Sequence, residues 1–173
     1  MNSSPQSLSF KKLLLPFCLF VGLGLWVTQV NAQEQPPKPI EVKVTNYQPL
    51  NFGTFCYGDG SGTKVIISPD GGSRSFEGNI ILLGSIFSAA IFDVEALPGT
   101  IITIADVDVT LTGTASGTMK LQIRNIDSYP HSPFIATSNH TTVSVGGTLI
   151  VGTSGANPPG IYGAPFFVTF IQQ

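Results

Sequence analysis

Two hydrophobic patterns divide the chain. Residues 13–27 form an uncharged apolar run with Lys11-Lys12 in front of it and Pro16, Gly22 and Gly24 inside it. From residue 40 onward the period changes to two. Ile40-Glu41-Val42-Lys43-Val44-Thr45 puts apolar side chains on one face and polar ones on the other, the pattern of a half-buried strand. The same reading over residues 50–55, 63–68, 76–83, 90–95, 100–111, 119–126, 141–151 and 161–171 predicts about nine short strands in all. Between them stand Gly58-Asp59-Gly60-Ser61-Gly62, Ser68-Pro69-Asp70-Gly71-Gly72, Pro98-Gly99, residues 113–117 and Asn157-Pro158-Pro159-Gly160, whose Gly and Pro supply the dihedrals of turns. No helical period occurs after the first run. The expected fold is therefore all-β, an antiparallel sandwich, with a small closed barrel as the alternative because closure also removes sheet edges. An outer-membrane barrel would need strands of about 9–11 residues throughout and aromatic girdles.

The leading run changes what counts as the domain. It follows two lysines and ends at Val30-Asn31-Ala32, whose small residues suit signal peptidase, so residues 1–32 are expected to be a signal peptide cut between Ala32 and Gln33. The rival reading is a membrane anchor, but a span needs about 20 apolar residues and this run is shorter and interrupted. Cys18 follows Leu15-Pro16-Phe17, without the small residues expected before a lipoprotein cysteine, and leaves with the signal. Residues 33–39 are a Pro-rich extended segment, and residues 40–173 are expected to form a single β-sandwich domain. Taking 32 residues from 173 leaves 141, enough to bury about two thirds of the unfolded chain's surface. Export through the secretory pathway follows, to the periplasm, the outer surface or the medium, with no membrane span after cleavage.

Composition then removes several function classes. Charged residues make up 10% of the chain, against about 25% in an average soluble protein, and the 8 Lys+Arg form no cluster that could neutralise phosphates. No nucleic-acid partner is expected. Two cysteines and two histidines make neither a disulfide framework nor a four-ligand zinc cage. Cys56 would share a strand face with Leu50, Phe52 and Thr54 under unbroken alternation, which predicts a buried, unpaired thiol.

Candidate chemistry is sparse. Gly58 to Lys64 is superficially like a phosphate loop, but Val65 follows Lys64 where Ser or Thr is required, so a hairpin turn is expected. There is no G-x-S-x-G elbow. His131 and His140 fall in a polar, Pro-containing stretch, residues 129–140, as solvated loop residues. Asp106 and Asp108 project from one strand face about 6 to 7 Å apart. That spacing suggests either a carboxylate pair holding an ion or a wet outer face, and calcium would want 6 to 8 oxygens. Asn139-His140-Thr141 fits a glycosylation sequon, a short and weak pattern. No catalytic residue, cofactor or metal ligand is assigned, and an enzyme is not expected.

Three features bear on architecture and partners. Gly146-Gly147, without Cβ atoms, marks a bulge or tight bend. Tyr162, between Gly160 and Gly163, is placed for a phenol-to-backbone bond of the tyrosine-corner kind, or for ordinary core packing. In residues 166–171, Phe166, Val168 and Phe170 share one face while Phe167, Thr169 and Ile171 share the other, and both faces are largely apolar. The second face must be covered, by the domain's own loops or by another subunit, which makes Phe167 and Ile171 the candidate assembly surface. Tyr57 and Tyr129 are the candidate aromatics for a ligand.

Leu50-Asn51-Phe52-Gly53-Thr54-Phe55, Ser68-Pro69-Asp70-Gly71-Gly72, Gly78, Val143-Ser144-Val145-Gly146-Gly147-Thr148-Leu149 and Gly160-Ile161-Tyr162-Gly163 together resemble the secreted bacterial family named domain of unknown function 4402. The resemblance spans nearly all of the chain after the signal and implies a β-sandwich without a catalytic motif. By looser analogy the domain is similar to pilin-like and spore-coat-like sandwiches, an immunoglobulin-like architecture. The expected function is an exported structural or adhesive surface protein, a pilin-like subunit whose partners are copies of itself or other surface subunits. A secreted carbohydrate- or ligand-binding module is the alternative.

Overall fold

Strict alternation buries every second side chain of the central strands. Ala90, Phe92 and Val94 go inward while Ile91, Asp93 and Glu95 face out, and Met119, Leu121 and Ile123 go inward from Thr118, Lys120 and Gln122. A computed structural model describes residues 41–44, 48–59, 63–70 and 72–173. The expected signal peptide with its Ala32–Gln33 cut, Cys18 and the Pro-rich segment lie outside the described residues. Among the described residues no helix is long and apolar enough to cross a membrane.

Fifteen strands follow in order among these residues: β1 (Glu41–Val44), β2 (Thr54–Tyr57), β3 (Lys64–Ile67), β4 (Arg74–Glu77), β5 (Ile80–Leu83), β6 (Ala90–Glu95), β7 (Ile101–Ile104) and β8 (Val107–Gly113), then β9 (Thr118–Ile123), β10 (Ser128–Tyr129), β11 (Phe134–Ile135), β12 (His140–Val145), β13 (Gly147–Ile150), β14 (Tyr162–Gly163) and β15 (Phe170–Gln172). They form antiparallel sheets ordered β1-β6-β12-β10, β11-β7-β15, β14-β8-β9-β13-β3-β4 and β2-β5. Inner faces from all four meet in one core, with Val65, Ile67, Val94, Ile102, Ile104, Ile123, Val143 and Val145 sealed from solvent. Val65 opposes Leu149 and Leu149 opposes Leu121, so three strands of the largest sheet present one apolar row. None of the sheets closes on itself, and the sandwich, not the barrel, is the fold.

Several predicted strands divide because the chain leaves one sheet for another. Residues 141–151 bend at Gly146, where β12 ends in the four-stranded sheet and β13 begins in the six-stranded one. A Cβ at Gly146 would overlap the Ile67 carbonyl, so the bend packs backbone against backbone, and the Gly146 amide donates to Asp127 O at 2.8 Å. Residues 100–111 divide likewise at Ala105-Asp106 into β7 and β8. Residues 76–83 turn at Gly78-Asn79 between β4 and β5. The last predicted strand, 161–171, reduces to β14 and β15, while the supposed loop 129–140 carries β11 and the end of β10.

The expectation for Cys56 is overturned: the thiol is exposed. Leu50 and Phe52 pack on the core, but Gly53 has a φ of 72°, a left-handed conformation that interrupts the extended backbone. Beyond it the parity flips, so Phe55 and Tyr57 turn to the core and Thr54 and Cys56 face outward.

Candidate functional site

Two places collect the residues with functional potential. The first is a cleft of about 570 Å³ between residues 50–57 and 157–166. Its floor is the inner face of the six-stranded sheet, including Met119, Leu121 and Leu149, and its walls include Phe55 and Phe166. Tyr57, carried inward by the flip at Gly53, donates its phenol to Asn157 O at 3.1 Å. Burial, with a smaller effect of Tyr162, holds the Tyr57 phenol above its ordinary value of 10.0.

Across the cleft the loop 152–160 is organised by buried Asn157. Its side-chain oxygen accepts from the Gly152 amide at 2.6 Å, and its nitrogen donates to Thr118 O at 2.5 Å and Ala156 O at 3.1 Å. Tyr162 donates to Pro158 O at 2.7 Å, four residues upstream, with Ser116 O at 3.4 Å. The phenol thus bonds backbone within its own loop, not across the sandwich, while the ring packs on the core, so Tyr162 combines both expected roles only in part.

The second place is the outer face of the three-stranded sheet. Ile135 opposes Ile101 and Ile171 opposes Thr103, so isoleucines from three strands stand on one face. They are 60%, 41% and 46% exposed for Ile135, Ile101 and Ile171, and Phe167, three residues before β15 begins, is 82% exposed. On the opposite face Phe134, Ile102 and Ile104 are buried and Phe170 meets Phe92 edge-on, ring centres 5.6 Å apart. Phe166, Val168 and Phe170 pack on the core, with Phe167, Thr169 and Ile171 turned away from it. Ile101 and Ile135 were not singled out from sequence. Their signal is that Ile101-Ile102 and Phe134-Ile135 are apolar at both parities, as a strand with two covered faces would be.

The remaining candidates do not converge. Tyr129 is exposed on β10, pairing with Ser144 at the edge of the four-stranded sheet, and its ring meets His131 edge-on at 5.9 Å. It does not join Tyr57 in the cleft. His140 Nδ1 lies 3.1 Å from Asp93 Oδ2 on an exposed strand face. Asp108 sits between Lys120 Nζ and Arg124 Nη2, each at 2.8 Å, and Asp106 accepts from the Asn125 amide at 2.9 Å. These bonds, Lys120 first and then Arg124, hold the Asp108 carboxyl below its ordinary value of 3.8. The pair is thus a surface ion-pair cluster, and among the described residues no group of three or more His, Cys, Asp or Glu gathers to hold a metal.

Sheets and core define an all-β sandwich domain with spaced glycines at its bends. The family model described as Domain of unknown function (DUF4402) matches residues 42–171, and the chain belongs to that family. No curated protein and no solved structure matches it.

Proposed function

We propose that this chain is an exported structural or adhesive surface protein, a pilin-like subunit that associates with copies of itself through the outer face of the three-stranded sheet. The carrying observation is the set Ile135, Ile101 and Ile171, exposed on a sheet whose other face already belongs to the core, with Phe167 exposed at the same parity in the segment leading into β15. Contiguous exposed apolar surface on a soluble domain marks an interaction site more often than isolated residues do. The strands β7, β11 and β15 carry no charged residue, so the face favours a partner that is itself neutral and apolar, and a second copy brings such a face by symmetry. Export is supported by the leading apolar run and its Ala32–Gln33 junction.

The test replaces Phe167 and Ile171 together with Thr, and measures thermal unfolding and sedimentation in parallel. Because both side chains are substantially solvent-exposed, the double variant is expected to keep its fold, within about 1 kcal/mol, while association is lost. If it unfolds, or assembles as the parent does, the interface must lie elsewhere.

A further inference from the structure

The cleft between residues 50–57 and 157–166 takes no part in the interface proposed above. The geometry points to a binding site there for an uncharged, largely hydrocarbon ligand, such as a medium-length acyl chain, entering between Ile86 and Ile161. At about 570 Å³ the space falls in the range of small-molecule sites. Ile86 and Ile161 are 80% and 78% exposed, and both line the same opening above a buried apolar floor.

The chemistry of the lining selects the ligand. Among the described residues that line the cleft none is charged, so an ion would lose hydration with nothing to replace it. Three of its polar side chains are already committed, Asn157 to three backbone groups, Tyr57 to Asn157 O and Tyr162 to Pro158 O, while the other two, Asn51 and Thr54, are exposed. A sugar reaching past those two would have to break the committed bonds to satisfy its remaining hydroxyls, so the aromatic rings act as apolar walls. A peptide adding as a strand along residues 157–160 is disfavoured as well, because Pro158 and Pro159 have no backbone donor to offer there.

The full exported chain is titrated calorimetrically with decan-1-ol, decanoate at pH 7 and glucose, and is co-sedimented with phosphatidylcholine vesicles. Decan-1-ol is expected to bind saturably at one site, at least about tenfold more tightly than decanoate, with no heat from glucose. The pair Ile86→Asp with Ile161→Asp, both at the exposed mouth, should keep the fold and weaken decan-1-ol by about tenfold or more. Ala164→Leu, which adds bulk inside, should do the same. The Phe167 and Ile171 double variant should bind as the parent does, which separates this site from the assembly face. Vesicle binding lost in the Ile86/Ile161 pair would assign the chain to membrane lipid, whereas decan-1-ol binding without vesicle binding would assign it to a free molecule. Absence of saturable decan-1-ol binding, or binding that the mouth pair leaves intact, or glucose binding of equal strength, would overturn the proposal.

Discussion

At Gly53 a single left-handed residue decides which side chains of β2 meet solvent. Its consequence for chemistry is Cys56, which is expected to react with a thiol reagent in the folded protein at the rate of an accessible cysteine. Labelling followed by mass spectrometry checks this, and protection that is lifted only by denaturant would contradict it. The flip was legible in part. Leu50 and Phe52 are bulky at even positions, Phe55 and Tyr57 at odd ones, and the change of parity falls at the glycine between them. Extending one period across it is what misplaced the thiol. At Asp108 the residue scale gives a pH dependence. Its carboxyl titrates lower in the folded chain than in the unfolded one, so the stability it contributes is present above its ordinary value of 3.8 and is lost as pH falls through the depressed folded value. Asp70, held down chiefly by the Ser68 hydroxyl, acts in the same window. Asp108→Asn should therefore flatten part of the acid limb of a stability-versus-pH curve, and the difference from the parent should shrink in high salt, since the group is at the surface.

Between elements, one side chain joins two sheets. Arg74, on edge strand β4 of the six-stranded sheet, donates from Nη1 to Phe52 O at 3.1 Å and Thr54 O at 3.3 Å, and from Nη2 to Leu83 O at 3.2 Å and Gly84 O at 2.7 Å. Its guanidinium also lies 4.8 Å from the centre of the Phe87 ring. The planar fork reaches carbonyls before and within β2 and at the end of β5, and a lysine has neither the plane nor the spread of donors to do so. Arg74→Lys is expected to cost about 2 kcal/mol in denaturant unfolding and to speed amide exchange in β2 and β5 ahead of β3. Unchanged exchange in that ribbon would show that packing alone holds it. Such a link is invisible in a sequence because it depends on sheet neighbours, not on spacing. The division of residues 100–111 was legible, by contrast: Ile102 and Ile104 are inward at even positions, Val107, Val109 and Leu111 at odd ones, and the slip sits at the crossing. At Gly78 the alternation through Phe76, Ile80 and Leu82 keeps its parity across the turn, so nothing in the pattern announces it.

For the molecule as a whole, the fold class could be read from alternation and the family from the spaced glycine and aromatic positions, and the family model matches residues 42–171. The cleft could not be, because its walls come from residues 50–57 and 157–166, which only the fold brings together. If the chain is exported, amino-terminal sequencing of the released protein is expected to begin at Gln33, and an intact start on membrane-bound protein would refute the processing step. The place of β13 has a consequence in time. It lies between β9 and β3, so the hairpin β3–β4 and the hairpin β8–β9 have no shared edge until residues 147–150 arrive to bridge them. A chain threading out amino end first can make both hairpins early and must then hold their apolar faces wet while it waits. Closure is a late, long-range event of the slow kind, and until it occurs two open sheet edges are available to any neighbouring chain.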